Sequence, residues 1–226
     1  MRRRPALGAR HAPQLDAAEL EDRTTTPPDG DGSVVEDARL GPEAELGAPA
    51  RIARCALHGV ALAGRRWRSI TLVDVTVGDA DAGNADWTGA SLDRVVFERC
   101  RMTGFAAPEL DATDVVFRDC TLDLANFRFA RLQQVTFEGC RLDEADFSGA
   151  RLRRCRFDGS TLRGVELRGA ELSHVDLRGA DLDGFQADPA ALAGAIVDSA
   201  QLVGLAHSLA AGLGIEVDDE PAGARG

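Results

Sequence analysis

VVFRD CTLDL ANFRF ARLQQ VTFEG CRLDE ADFSG ARLRR CRFDG, residues 115–159, decides the fold, because it counts in fives. The pentads centre on Phe117, Leu122, Phe127, Leu132, Phe137, Leu142, Phe147, Leu152 and Phe157. Two residues before each centre stands a small or apolar residue: Val115, Cys120, Ala125, Ala130, Val135, Cys140, Ala145, Ala150 and Cys155. The other positions are mostly Asp, Glu, Arg, Thr, Ser or Gly. The register runs back through Met102, Phe97, Leu92, Trp87, Val77, Leu72, Trp67, Leu62 and Leu57, and forward through Leu162, Leu167, Leu172, Leu177 and Leu182.

A helix turns about 100° per residue, so an apolar residue every five positions would wander around the whole cylinder. A strand has period two and cannot hold a period of five. A short extended segment can, if the centre and the residue two before it point inward and a two-residue corner follows. Four such units close a square coil of about twenty residues, and coils stack at about 4.8 Å, the spacing of hydrogen-bonded strands. Repeats of this kind are stable only beside their neighbours and build a solenoid. Residues twenty apart then form columns. One reads Val77, Phe97, Phe117, Phe137, Phe157, Leu177, and the opposite one Trp67, Trp87, Ala107, Phe127, Phe147, Leu167. The two remaining columns are aliphatic: Leu92, Ala112, Leu132, Leu152, Leu172 and Ala82, Met102, Leu122, Leu142, Leu162, Leu182. Aromatic residues therefore keep to two opposite faces, which a bare period of five would not produce.

The runs Ala145-Asp146-Phe147-Ser148-Gly149-Ala150-Arg151-Leu152 and Gly179-Ala180-Asp181-Leu182 resemble the A(D/N)LxG motif of pentapeptide repeat proteins. The resemblance covers about two thirds of the chain. It implies an all-β fold, a right-handed quadrilateral parallel β-helix with a C-terminal helical cap. It is specific for fold and weakly so for activity, since one fold hosts many roles. The quinolone-resistance members of that family act as DNA mimics that engage DNA gyrase. Some members dimerise through a C-terminal helical segment.

The chain has 226 residues and a net charge of −11, with no Lys and no Tyr. Residues 51–205 carry 23 acids and 19 Arg, so the repeat body is only mildly acidic. A basic nucleic-acid footprint is absent. No apolar run approaches the ~20 residues of a membrane span. No apolar segment follows Arg2, Arg3 and Arg4, which argues against a signal peptide. The five cysteines are odd in number, against a secreted disulfide framework. A cytoplasmic location is expected.

Residues 1–50 show no period and are rich in Ala, Pro, Gly and acids; a disordered tail is expected there. Residues 51–188 form the β-helix. Residues 189–217 form a helical cap or dimerisation segment, and 218–226 a disordered tail. Within the β-helix, Arg65 occupies an inward position and must escape or pair. The thin stretches Gly78–Asn84 and Gly104–Thr113 predict a bend, bulge or loop, the second because Ala107 and Ala112 hold core columns beside Pro108. In the cap, Ser199 is placed to start a helix running to about Ala211. Leu202, Leu205 and Leu209 lie on one helical stripe, the candidate cap or dimer surface. Gly212 and Gly214 stop the helix before a short extended Ile215–Val217.

All five cysteines, Cys55, Cys100, Cys120, Cys140 and Cys155, fall two residues before a pentad centre, as small buried residues would. Neither they nor the scattered His11, His58, His174 and His207 make a metal-ligand pattern. Nothing places a nucleophile beside a base, and without Lys there is no phosphate-binding loop of the usual form. Neither catalytic residues nor a cofactor are expected. Surface charge remains. Glu98, Arg118 and Glu138, Asp158 and Arg178, Asp111 and Arg131, and Arg151 and Glu171 are predicted cross-coil pairs. One column, Asp86, Ala106, Asn126, Asp146, Glu166, holds no Arg, and beside it stand Asp123, Asp143, Glu144 and Asp183. Carboxylates at multiples of about 4.8 Å imitate a row of phosphates. The candidate partner-binding stripe is thus Asp86, Asp123, Asp143, Glu144, Asp146, Glu166 and Asp183. Its functional reading is a DNA mimic for gyrase, without direct nucleic-acid binding. The alternatives are a scaffolding solenoid with an unrelated protein partner, the stripe then being a solvated face, and an enzyme of unrecognised kind.

Overall fold

The computed structural model describes residues 21–22, 33–44, 46–185 and 187–217. The chain winds as a four-sided parallel β-helix closed at its C-terminal end by a helix. From Arg51 onward, neighbouring coils pair in parallel at an offset of twenty residues. Phe97 pairs with Phe117, Phe117 with Phe137, and Phe137 with Phe157. On the adjoining face, Leu92, Ala112, Leu132, Leu152 and Leu172 pair in the same way. The first face carries the column through Phe117, the second that through Leu122, the third that through Phe127 and the fourth that through Leu132. The second and third faces are narrower ladders of single bridges, such as Arg101 with Thr121 and Asn126 with Asp146.

Corners form because the residue two after each centre turns left-handed. At Met102–Phe105 the Phe105 N–H reaches the Met102 carbonyl at 3.0 Å while Gly104 takes φ +68°. Glycine reaches that region without steric penalty. Corner N–H groups then donate onward to the next coil, as from Gly104 to the Asp123 carbonyl at 2.8 Å.

The axis is packed with the predicted columns. Phe97, Phe117, Phe137 and Phe157 stack with ring centroids 4.8–5.0 Å apart and nearly parallel planes. Opposite them, Trp67 and Trp87 stack at 5.4 Å, and Phe127 and Phe147 at 5.0 Å. Across the axis the two columns meet edge to face, as Phe137 with Phe147 at 6.3 Å.

The bends expected at the thin stretches do not occur. Bridges run unbroken through Ala61–Asp81–Arg101 and Asp86–Ala106–Asn126. The reason is volume compensation. Where Ala107 interrupts the aromatic column, Phe105 turns inward two residues earlier, meeting Trp87 edge-on at 5.2 Å and Phe127 at 6.3 Å. Leu110 stands in the same relation to Ala112, and all four are buried. At Ala80 and Ala82 the neighbouring indoles supply the bulk, Trp87 reaching to 6.1 Å from Phe97 across the axis. Pro108 costs nothing at its corner. In neighbouring coils the equivalent N–H is taken by a side-chain oxygen two residues back, as Thr88 by Asp86 at 3.1 Å and Arg128 by Asn126 at 3.1 Å. At Ala106 and Pro108 the acceptor and the donor are missing together, so no group is orphaned.

The expectation of a structureless segment through residue 50 is corrected. Val34–Glu36 and Ala38–Leu40 pair in parallel with Arg51–His58, Val35 against Ile52 and Leu40 against Leu57. Val35, Ala38, Leu40 and Leu46 are buried. The offset is seventeen residues, so this coil is three residues short and its apolar residues fall outside the five-residue register. Glu21–Asp22 pairs with Ala38–Arg39 at the same offset. Residues 1–20, 23–32 and 45 of the expected N-terminal tail, and residues 218–226, lie outside the described residues. Arg65 escapes, its side chain exposed beside the shortened coil.

At the other end, Ala195–Ile196 pairs with Val175–Asp176, and a helix follows over Ser199–Gly212. Its cap is Asp198, not Ser199. Asp198 accepts from the Gln201 N–H at 2.9 Å and the Gln201 side chain accepts from the Asp198 N–H at 2.9 Å, a reciprocal capping box. The Gln201 amide also donates to the carbonyls of Leu177 and Ala180, at 2.6 and 2.8 Å, tying the helix to the last coil. Leu205 is buried and Leu209 half-buried against the core, whereas Leu202 is exposed. The predicted stripe therefore splits, with Leu202 outward beside Val203. Ile215–Val217 forms no strand; the Ile215 N–H folds back to the Ala210 carbonyl at 2.8 Å. No helix among the described residues is long and apolar enough to cross a membrane.

Candidate functional site

Among the described residues, the axis of the coil is filled by buried side chains. An apolar space of about 10 Å³ lies where the phenylalanine columns give way to Leu162, Leu167 and Leu172. That is about the limit for a single water and far below a substrate's volume. A cleft of about 390 Å³ opens beside the shortened coil, lined by Ala48, Pro49, Ala50, Arg66, Trp67, Arg68 and Ser69.

The five cysteines are free and buried. Each thiol donates to main-chain carbonyls: Cys140 Sγ lies 3.3 Å from the Phe117 carbonyl oxygen and Cys155 Sγ 3.4 Å from that of Leu132. Ser160 continues the Cys100, Cys120, Cys140 column and bonds the Phe137 carbonyl at 3.2 Å in the same way. The position requires a small side chain, as Val60, Ala80 and Ala180 in the same column show, and a weak donor finds a carbonyl there. Burial pushes the Cys155 thiol up to about 12, leaving the thiolate scarce at neutral pH. Among the described residues no cluster of His, Cys, Asp or Glu is arranged to hold a metal ion.

The outer skin carries the charged candidates. Asp123, Asp143 and Asp183 share one outward column of the second face, with Arg163 between the latter two. Glu144 stands at the next corner, and Asp86, Asp146 and Glu166 line the third face. The sequence reading missed how the arginines fold onto them. Arg68 pairs with Asp86 at 2.7 Å, Arg141 with Asp123 at 2.5 Å, Arg168 with Glu166 at 2.6 Å and Arg128 with Asp146 at 3.7 Å. These arginines come from neighbouring columns, so a column without Arg is still neutralised. Asp86 and Asp146 also accept main-chain N–H groups of Thr88 and Ser148 and so stabilise the corners. Asp143, Glu144 and Asp183 form no ion pair among the described residues. Asp143 accepts only the Arg163 N–H, at 3.3 Å.

The predicted cross-coil pairs are partly realised. Arg118 bridges Glu98 and Glu138, at 2.5 and 3.0 Å, and Arg151 meets Glu171 at 3.2 Å. Asp158 and Arg178 turn instead to Arg156 and Asp176 of their own coils, because residues two apart on one outward face, about 6.5 Å, are still within an arginine's reach. Asp111 and Arg131 are register partners without an ion pair. The Arg94 guanidinium bonded to Asp74, and Arg101 bonded to Asp81, hold those carboxyls below the usual range.

Two further residues stand out. Corner positions carry Gly, Asp, Asn, Arg, Glu, Gln, Ser or His, except at Leu124 and Phe129. Both adopt left-handed backbone, φ +57° and +58°, and both are exposed, 57% and 59%. For a bulky side chain this conformation costs about 1–2 kcal/mol per residue. Among the described residues, the other exposed large apolar ones, Val34, Ile196, Leu202, Val203, Leu213, Ile215 and Val217, belong to the two ends of the rod. The Phe129 ring lies over Gly149, where an added Cβ would come within 2.6 Å of its edge. The Arg128 guanidinium carbon sits 5.7 Å from the ring centroid. The signal was legible: apolar residues at the last position of two successive pentads.

Comparison with known proteins places this architecture. The chain is similar to a trypsin-treated form of QnrB1, a plasmid-mediated fluoroquinolone resistance protein, at 18% identity over 83% of this chain and 99% of that one, with a TM-score of 0.42. It is similar to HetL, a pentapeptide repeat protein involved in heterocyst differentiation regulation in the cyanobacterium Nostoc sp. strain PCC 7120, at 17% identity over 74% and 93%, with a TM-score of 0.41. No curated protein matches it. A family profile described as "Pentapeptide repeat region" matches residues 90–167, 110–187 and 130–204, successive matches starting one coil apart and together spanning just over half of the chain. With its columns, corners and twenty-residue register all accounted for, the chain belongs to the pentapeptide repeat family.

Proposed function

We propose that this chain is a non-catalytic protein-interaction module that meets its partner with its outer faces. The observation that carries the reading is the filled axis: stacked side chains leave about 10 Å³ inside the coil, so recognition falls to the skin. That skin repeats at the coil spacing and displays charges at regular intervals along a rod. The specific partner in this reading is a DNA-binding enzyme of the gyrase type. Asp86, Asp123, Asp143, Glu144, Asp146, Glu166 and Asp183 occupy two adjoining faces, and acids at this pitch stand in for phosphates. The exposed Leu202 and Val203 on the outer side of the terminal helix support a homodimer that would lengthen the acidic array. Such a protein would work in the cytoplasm. The test is a gyrase supercoiling assay with the purified chain, with and without a quinolone. Inhibition or protection at micromolar protein is expected; neither would remove the gyrase version.

A second reading is a scaffolding solenoid for an unrelated protein. It is favoured by the arginines that neutralise four of the seven stripe acids. Pull-down with the full chain discriminates: recovery of a specific partner other than a topoisomerase supports it, and recovery of no protein counts against it.

A further inference from the structure

We propose that Leu124 and Phe129 form the apolar anchor of a docking surface for a protein segment in which Lys or Arg flank apolar side chains. The inference rests on the protein-interaction reading and names where the partner sits and what it looks like. Three observations converge on one coil. The two residues are the exposed large apolar side chains of the rod's middle, at successive corners on either side of the third face. Both are held left-handed, where glycine serves most coils, so the coil forgoes stability to present them outward. The Phe129 ring lies against Gly149 at the surface rather than tucked into the core, and an exposed aromatic ring is a contact surface.

Charge selects the partner. Glu144 is the next residue below Leu124 in the same corner column, with Asp143 beside it, and neither is ion-paired among the described residues. The Leu124 end of the anchor is therefore edged by these two carboxylates. The Phe129 end instead carries the Arg128 guanidinium 5.7 Å from its ring and adjoins Arg131, so the cations of the segment lie at the Leu124 end. The fourth face, across the rod from Asp143, exposes Arg131, Arg151, Arg153 and Arg154, of which Arg151 alone is ion-paired among the described residues. A cationic segment is drawn to the Leu124 corner and repelled from that face, which sets its placement as well as its affinity.

The test uses the full chain and three synthetic peptides of equal length: one of Leu and Lys, one of Leu and Glu, and one of Ser and Lys. Binding is read by fluorescence anisotropy at two salt concentrations, and folding by thermal melting. The Leu/Lys peptide should bind tightest, and the Leu124→Gly/Phe129→Gly double variant should weaken it at least tenfold. That variant should melt no lower than the parent, because glycine suits both corners, so lost binding cannot be assigned to unfolding. Asp143→Asn with Glu144→Gln should weaken binding and flatten its salt dependence, whereas Arg131→Gln with Arg153→Gln should not weaken it. Equal binding of the Ser/Lys peptide, or parental affinity in the double glycine variant, would overturn the anchor. The broader protein-interaction reading would survive that result and falls only to the assays given for it.

Discussion

Replacing Phe105 by Ala tests the packing rule that keeps this β-helix straight. Phe105 is buried at a position where the neighbouring coils hold Ala85 and Ala125, and it fills the gap left by Ala107 between Trp87 and Phe127. Truncating a buried Phe costs about 3–5 kcal/mol. The edge contact with Trp87 contributes about 0.5–1.5 kcal/mol beyond area burial, so the upper part of that range is expected. Ala107→Phe alone should cost about 1–3 kcal/mol, because the space is already occupied. The double variant, Phe105→Ala with Ala107→Phe, moves the ring into the regular column. It should therefore recover at least ~2 kcal/mol relative to the sum of the single losses, near the top of couplings seen between contacting residues. Equilibrium urea unfolding followed by far-ultraviolet circular dichroism measures all three. The Phe105→Ala chain should also unfold in two steps, since a solenoid broken in its middle loses nearest-neighbour coupling there. Additive losses, with coupling below ~0.5 kcal/mol, would refute the reasoning. The straight ladder would then have some cause other than exchange of volume between the two inward positions.

Three further outcomes are expected. Trp67→Phe should cost more than Trp87→Phe in urea unfolding. The Trp67 indole donates to the Gly47 carbonyl at 2.5 Å, while the Trp87 indole N–H is buried without a partner, a penalty of about 1–3 kcal/mol that Phe would relieve. The carboxyls of Asp74, Asp81, Asp176 and Asp181 are held low by Arg94, Arg101, Arg178 and Arg163, bonded to them respectively. A folded-state value below the unfolded one adds stability that is complete above the unfolded carboxylate pKa of about 4 and is lost as pH falls through the folded value. Melting temperature should therefore change little from pH 7 to about 5 on account of these groups and drop below about 4; a peak of stability near pH 3 would contradict the pairing. Finally, the five thiols should react with a thiol reagent only as fast as the coil opens, and at once in denaturant. Rapid labelling of Cys155 in the folded chain would contradict its burial.

Much of this architecture was legible because a period of five leaves the backbone few solutions. Once helix and flat strand are excluded, the columns follow from arithmetic, and Phe117, Phe137 and Phe157 pile up as their spacing requires. The same arithmetic failed at the N-terminal coil. Val35, Ala38 and Leu40 are inward, but a turn three residues short shifts them off the register, and only pairing with Ile52, Cys55 and Leu57 reveals them. It failed also at Ala107 and Ala112. A small residue in a core column looks like a gap until the neighbouring inward position is seen to fill it.

The candidate surface divides in the same way. Sequence by itself determined which side chains point outward, since alternation within each pentad sets that before any packing. It therefore placed Asp86, Asp143 and Glu166 on the skin and named the columns they share. Which charges remain uncompensated was decided only in three dimensions. Arginine side chains are long enough to cross to a neighbouring column or coil, so Arg68, Arg128, Arg141 and Arg168 neutralise acids that their own columns leave alone. The terminal helix shows the same limit. Its stripe of leucines was readable, yet Gln201 anchoring to the Leu177 and Ala180 carbonyls turned Leu205 inward and Leu202 out. Inside and outside follow from local chain geometry, whereas pairing and docking depend on the reach of side chains between segments that the sequence holds far apart.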